Sequence, residues 1–186
     1  MASRPRSNLT VEQYLAAYEG AAGRFELVDG EVLKMAAESN RHSLIKGNIY
    51  FALRQAATKA KMNCTVVPDG AAIRINSTTA REPDVSVQCG EMPDLTSQLL
   101  ASPAIVVEVV SPSSEGTDAN RKLLEYFSVP SIMHYLIVWP KQKYCFHHKR
   151  IDDNKVLTTI VRKGMMEFDP PGVSISFEAI FDGVDR

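Results

Sequence analysis

The segment from Ile105 to Val110 constrains the fold of this chain more than any other. It reads Ile-Val-Val-Glu-Val-Val, and apolar side chains on both faces predict a central strand that is covered on both sides. Glu108 stands inside this strand, where a buried carboxylate without a partner would cost several kcal/mol. Two interpretations follow: a basic side chain pairs with Glu108, or Glu108 binds a metal ion.

Around this strand the sequence alternates between predicted strands and helices. Asp29-Gly30 between two alternating runs predicts a hairpin with a type I′ turn. Apolar residues at helical spacing predict a long helix over residues 41–60. Further strands are predicted at residues 64–67, 71–75, 84–89, 104–110, 132–139, 144–148 and 156–162, and further helices near residue 10, at 117–128 and at 177–181. This order predicts an α/β or α+β fold with a mixed central β-sheet flanked by helices.

Length and composition predict one soluble domain. The 186 residues, 45% of them apolar, fit a single domain over residues 1–186, with residues 1–9 flexible. No apolar run approaches the roughly 20 residues of a membrane helix, so no membrane partner is expected. The polar N-terminus lacks a signal-peptide pattern, and three separated cysteines predict reduced thiols in a cytoplasmic protein. A net charge of −1 counts against a protein that coats nucleic acid by bulk charge.

A second acidic residue stands at the start of another predicted strand. Asp84 follows Pro83 and begins the strand over residues 84–89. If this strand pairs antiparallel with that of Glu108, its start lies beside the end of its neighbour, and the two carboxylates approach each other. Their repulsion would favour a divalent cation between them, and oxygen ligands suit Mg²⁺ or Mn²⁺. The alternative for Asp84 is an ordinary turn residue.

The helix after the central strand carries a polar stripe. Asp118, Lys122 and Tyr126 are spaced by four residues and share one helical face. Because the helix starts just after the strand of Glu108, Lys122 could reach that carboxylate at the end of the strand where functional sites collect. The alternative for Lys122 is an exposed lysine paired with Asp118.

The predicted helix over residues 41–60 is basic. It carries Arg41, Lys46 and Arg54, and no acidic residue stands between Asn40 and Asn63. These cations could contact the phosphates of a nucleic acid, or they could simply form a solvated helix face. Elsewhere, His147 and His148 point to opposite faces of a predicted strand, which favours a solvated patch over a shared metal.

Five segments resemble, in the same order, those of the Uma2 family, which is assigned to the PD-(D/E)XK, restriction-endonuclease-like superfamily. They are Arg24-Phe-Glu-Leu-Val-Asp-Gly-Glu-Val, Asn40-Arg-His42, Glu82-Pro-Asp84-Val-Ser-Val, Val107-Glu108-Val-Val-Ser-Pro-Ser-Ser114 and Asp118-Ala-Asn-Arg-Lys122-Leu-Leu-Glu-Tyr126. The likeness runs from about residue 10 to residue 139. One such motif is weak evidence, but five in order are specific.

The resemblance implies a restriction-endonuclease-like fold and metal-dependent hydrolysis of phosphodiester bonds in DNA, with Mg²⁺ or Mn²⁺ as cofactor. It implies that Asp84 and Glu108 are catalytic acids and metal ligands. Lys122 would replace the motif lysine, because Val110 stands at the position of that lysine. Glu26 would add a third acid to the metal site.

The resemblance also matches His42 to a histidine of the family. His42 would either contact the metal ligands from outside, or simply stand at the N-terminus of its helix. Asp118 and Tyr126 would contact the catalytic groups from outside, and a symmetric homodimer is common in the superfamily. Two alternatives to the nuclease stay open: a catalytically inactive nucleic-acid-binding or scaffold protein that keeps the fold, and an interaction module built on the strands over residues 144–162.

Overall fold

A computed structural model describes residues 8–111 and 118–184. The helices are α1 (Val11–Tyr18), α2 (Asn40–Lys59), α3 (Asp118–Ser128) and α4 (Phe177–Ile180). The strands are β1 (Phe25–Val28), β2 (Glu31–Lys34), β3 (Cys64–Pro68), β4 (Ile73–Asn76), β5 (Thr79–Arg81), β6 (Val85–Cys89), β7 (Pro103–Val109), β8 (His134–Trp139), β9 (Tyr144–Asp152), β10 (Lys155–Val161), β11 (Met165–Phe168) and β12 (Val173–Ser176). The described part contains no helix that is long and apolar enough to cross a membrane.

The central sheet has six strands in the order β10-β9-β8-β7-β6-β3. Strands β7 and β8 run parallel, and the other neighbours are antiparallel, so the predicted mixed sheet is confirmed. One face packs against α2, where Ile45 and Ile49 join Val107 in a buried cluster. The other face packs against α3, where Tyr126 joins Val106. Strand β7, which the sequence predicts to be covered on both sides, therefore lies inside the sheet with a helix packed on each face.

A smaller sheet of order β2-β1-β5-β4 carries the predicted hairpin. Asp29 and Gly30 have φ angles of 50° and 78°, the positive values that a type I′ turn requires. A Cβ on Gly30 would lie 2.8 Å from the backbone of Asn8, so glycine is also required for space. Within the segment predicted to be flexible, residues 1–7 lie outside the described residues, but Leu9 donates a backbone hydrogen bond to Gly30. The chain is thus anchored from residue 9 onward.

The prediction of three reduced thiols is wrong for two of them. Cys64 of β3 lies directly opposite Cys89 of β6, and the two form a disulfide. The pairing depends on the register of two strands 25 residues apart, which no local pattern reveals. Cys145 is free and buried, and burial raises the pKa of its thiol to about 12.

The expected solvated histidine patch is also wrong, because His147 and His148 are buried. His134 Nε2 lies 2.9 Å from the Pro170 carbonyl, which can only accept, so His134 donates there. His134 Nδ1 is then the acceptor for His147 Nε2, 2.9 Å away. Burial lowers the pKa of both His134 and His147 to about 4, so the pair is neutral at pH 7.

Candidate active site

Strands β6 and β7 bring Asp84 to the end of β7, as the antiparallel pairing predicts. The backbone N–H of Asp84 donates to the Val107 carbonyl at 3.1 Å, and the Asp84 carboxylate accepts from the Val109 N–H at 2.7 Å. Asp84 is only 2% exposed. Its carboxylate is therefore held by the backbone of the strand that carries Glu108.

Helix α3 places two donors over Glu108. Glu108 Oε1 accepts from Lys122 Nζ at 3.0 Å and from the Tyr126 hydroxyl at 2.6 Å. The spacing of four residues puts both donors on the helical face that the sequence predicts. The Asp118 side chain lies outside the described residues, as do residues 112–117. Asp84, Glu108 and Lys122 line one cavity of about 360 Å³.

Glu26 of β1 is tied to two cations. Glu26 Oε1 lies 3.2 Å from Lys122 Nζ, and Glu26 Oε2 accepts from Arg81 Nη1 at 2.8 Å. Arg81 in turn donates through Nε to Glu125 at 2.7 Å. Glu26 therefore holds Lys122 in place from the smaller sheet, and its predicted metal ligation would require these contacts to loosen.

The start of α2 brings Glu38 and His42 to Asp84. Ser39 caps the helix by accepting from the His42 N–H at 3.2 Å, which fixes the first turn. His42 Nε2 lies 3.1 Å from Asp84 Oδ1, and Glu38 Oε1 lies 3.7 Å from the same nitrogen. One ligand atom from each of Glu38, His42 and Asp84 lies within 4.8 Å of the others, close enough for all three to hold one metal ion. His42 Nδ1 is buried and has no hydrogen-bond partner among the described residues.

Two further cations neutralise the acidic residues. Arg24 donates to Glu38 and, at 2.6 Å, to Glu82, and its Nη1 lies 3.6 Å from Asp84. Lys46, predicted as a phosphate contact, instead pairs with Glu38 at 2.6 Å. The other two cations of that predicted surface, Arg41 and Arg54, are exposed on α2.

The electrostatics separate the two catalytic candidates. Burial disfavours the ionised form of Asp84, but the hydrogen bonds from His42 and the Val109 N–H, with the charge of Arg24, outweigh it and lower the Asp84 pKa. Burial raises the pKa of Glu108 to about 7, because repulsion from neighbouring carboxylates adds to burial and Lys122 only partly offsets it. The site thus holds one firmly ionised carboxylate beside one that titrates near neutral pH.

The sequence interpretation missed Glu38, Arg24 and Arg81. Glu38 stands one residue before the Ser39 N-cap and reaches the site from outside α2, so the helical spacing of that segment does not mark it. Arg81 is 2% exposed in a strand of three residues, and its partners come from other elements, so no local signal marks it.

Known proteins resemble this chain in sequence and in fold. The Uma2 family model, described as "Putative restriction endonuclease", matches residues 11–181. An uncharacterized protein of Synechocystis sp. is 27% identical over 184 residues, covering 98% of this chain and 96% of that protein, and a second is 26% identical over 81% and 86%. The crystal structure of "a putative nuclease belonging to DUF820" from Anabaena variabilis covers 95% of this chain and 99% of its own, with a TM-score of 0.77 and 13% identity. The predicted fold is therefore confirmed.

Proposed function

We propose that this chain, which belongs to the Uma2 family, is a metal-dependent endonuclease that hydrolyses phosphodiester bonds in DNA. The observation that supports the proposal best is the meeting of Asp84, Glu108 and Lys122 in one cavity. Residues 1–186 would form a single domain, because β1 and β5 of the smaller sheet supply Glu26 and Arg81 to a site built on the larger one.

The donor groups of the cavity fit a divalent cation. Carboxylate oxygens of Asp84 and Glu108 suit Mg²⁺ or Mn²⁺, and Glu38 and His42 extend the donor set around Asp84. A bound ion would lower the pKa of a coordinated water and offset charge on the phosphate.

The side chains of the chain itself would prepare the site for this chemistry. Lys122, held between Glu26 and Glu108, keeps a positive charge where the scissile phosphate would lie. It would thereby do the work of the motif lysine that Val110 replaces. Without a bound ion the pKa of Glu108 lies near 7, and a divalent cation would favour its ionised form, so binding of the ion would release a proton near neutral pH. The exposed Arg41 and Arg54 would contact DNA phosphates without reading sequence.

A nicking assay tests the proposal. Wild-type protein is incubated with supercoiled plasmid and with single strands in Mg²⁺ or Mn²⁺, and we expect cleavage that EDTA abolishes. Lys122→Met and Glu108→Gln should each reduce the rate at least about a hundredfold, the typical effect of removing one charged catalytic group. The matched control is Glu91→Gln, an exposed carboxyl in the loop after β6.

Two observations favour a second function, a nucleic-acid-binding protein without catalysis. Val110 occupies the position of the motif lysine, and Arg24 already occupies the acidic cluster. That protein would retard DNA in a gel at low salt and leave every substrate intact in both metals. Intact substrates with wild-type protein would therefore refute the nuclease, and retardation would support the alternative.

A further inference from the structure

Arg81 is a fully buried cation behind the candidate active site. It is 2% exposed, although arginine is almost never fully buried unless it is paired. Its Nη1 donates to Glu26 Oε2 at 2.8 Å, and its Nε donates to Glu125 Oε2 at 2.7 Å. These two partners belong to β1 and α3, so the guanidinium joins the smaller sheet to the helix that carries Lys122.

The register of the smaller sheet explains why Glu26 meets Arg81. In the antiparallel pair of β1 and β5, Leu27 lies opposite Ala80. The next positions along the two strands, Glu26 and Arg81, therefore also lie opposite each other, which is where unlike charges stabilise a sheet. The ion pair thus follows from the pairing of two backbones and not only from the reach of a long side chain.

The donors around Glu26 already occupy both of its oxygens. Oε2 accepts from Arg81, and Oε1 accepts from Lys122 Nζ at 3.2 Å and from the backbone N–H of Glu82 at 3.3 Å. To bind a metal ion, Glu26 would have to give up contacts with two buried cations, and breaking a buried ion pair is strongly destabilising. The geometry therefore favours a carboxylate that holds the lysine over one that holds the ion.

We propose that Arg81 is a positioning residue: it fixes Glu26, so that Glu26 holds the ammonium group of Lys122 and does not ligate the metal. The inference deepens the proposed nuclease function and rests on it, and it gives Glu26 a role other than the metal ligation that the family resemblance implies. The same guanidinium fixes Glu125, which stands three residues after Lys122 on α3. One side chain thus fixes both the carboxylate and the helix that orient the lysine.

Acetylation of lysines, read by mass spectrometry of peptides, tests the positioning in the metal-free protein. An acylating reagent attacks only a neutral, accessible amine, so Lys122, which is 10% exposed between two carboxylates, should react slowly in wild type. Glu26→Gln and Arg81→Lys should each raise the rate at Lys122 at least about tenfold, the effect of losing one hydrogen bond to a charged group. Lys46 is the internal control, because it is 13% exposed, is also held by two carboxylates and should keep its wild-type rate.

A double variant separates an action through Glu26 from a general loosening of the site. In Arg81→Lys, one ammonium group replaces the fork that reaches Glu26 and Glu125 together, so Glu26 loses its fixed position. If Arg81 acts through Glu26, adding Arg81→Lys to Glu26→Gln should raise the rate at Lys122 no further, whereas independent effects would multiply. Circular dichroism and thermal unfolding check that each variant is folded. If Arg81→Lys does not fold, Glu125→Gln, which frees the other arm of the guanidinium, takes its place.

Calorimetric titration with Mn²⁺ tests whether Glu26 is a ligand. Glu26→Gln should change the dissociation constant by less than about threefold, whereas Glu108→Gln, which removes a proposed ligand, should weaken binding at least about tenfold. A Glu26→Gln variant that loses Mn²⁺ as strongly as Glu108→Gln, unchanged acetylation of Lys122 in Glu26→Gln, or multiplied rates in the double variant would each overturn the proposal. Wild type that binds no Mn²⁺ would instead refute the metal-dependent nuclease, and the acetylation rates would still decide the role of Arg81.

Discussion

Replacing Glu108 with glutamine is expected to stabilise the metal-free protein above neutral pH. Burial raises the pKa of Glu108 from 4.5 to about 7, so the folded protein binds a proton more tightly than the unfolded chain does. The sign follows: this group lowers the free energy of unfolding as pH rises from 4.5 to 7. At about 1.4 kcal/mol for each pKa unit, the cost at pH 8 is about 3 kcal/mol.

Glutamine removes this cost while it keeps the contacts. Its side-chain oxygen can still accept from Lys122 and from the Tyr126 hydroxyl. Urea unfolding in EDTA should therefore give equal stabilities near pH 4.5 and a variant about 3 kcal/mol more stable near pH 8. The control, Glu91→Gln, should follow wild type at both pH values, because Glu91 is exposed.

Adding Mn²⁺ should reverse the order. The ion should stabilise wild type by binding only its folded form, and it should stabilise the Glu108→Gln variant less, because Glu38, His42 and Asp84 remain while the carboxylate of Glu108 is lost. A variant that is less stable than wild type near pH 8 without metal would refute the reasoning. Glu108 would then be a structural ion-pair partner of Lys122, the first of the two interpretations that the sequence leaves open.

Three more predictions concern stability. Lys122→Met should lower the free energy of unfolding in urea by about 3–5 kcal/mol near neutral pH, because two buried carboxylates lose their shared ammonium group. A decrease below about 1 kcal/mol would contradict this prediction. Burial lowers the pKa of His134 and His147 to about 4 in the folded protein, so the free energy of unfolding is highest above pH 6.5 and falls as pH drops toward 4. His147→Gln should reduce the number of protons taken up on unfolding in that range by about one, and an unchanged pH dependence would refute the lowered pKa of His147. Reducing the Cys64–Cys89 disulfide, which closes a span of 25 residues, should cost about 3 kcal/mol, and denatured unreduced protein should show one thiol rather than three.

The parts of the site that the sequence predicts depend on short-range periodicity. The two-residue period of a strand places Glu108 at the end of β7, and the four-residue spacing of a helix turns Lys122 toward it. Asp84 needed one further assumption, that the two strands pair antiparallel, and that assumption is confirmed. The family resemblance, also confirmed, joined these local patterns into one fold.

The rest depends on how distant segments pack. Arg81 reaches Glu26 because β5 pairs with β1 in the smaller sheet, and it reaches Glu125 because that sheet lies beside α3. Arg24 enters the acidic cluster from the residue just before β1. The disulfide depends on the register of β3 and β6, and the burial of His147 depends on the β11–β12 hairpin, which the sequence did not predict. Contacts between segments so far apart leave no periodic pattern in a single sequence.

The guanidinium of Arg24 lies beside Glu38 and Asp84, two of the three residues that are close enough together to hold a metal ion. With its contacts to Glu38 and Glu82, it gives the carboxylates a counter-charge that is covalently attached and always present. In the proposed metal-bound state, a divalent ion would have to displace Arg24 from these carboxylates, and that competition would weaken the apparent affinity for the ion. Displaced by the ion, Arg24 would become available to a phosphate at the moment the site is loaded, so loading and substrate capture would be linked through one side chain.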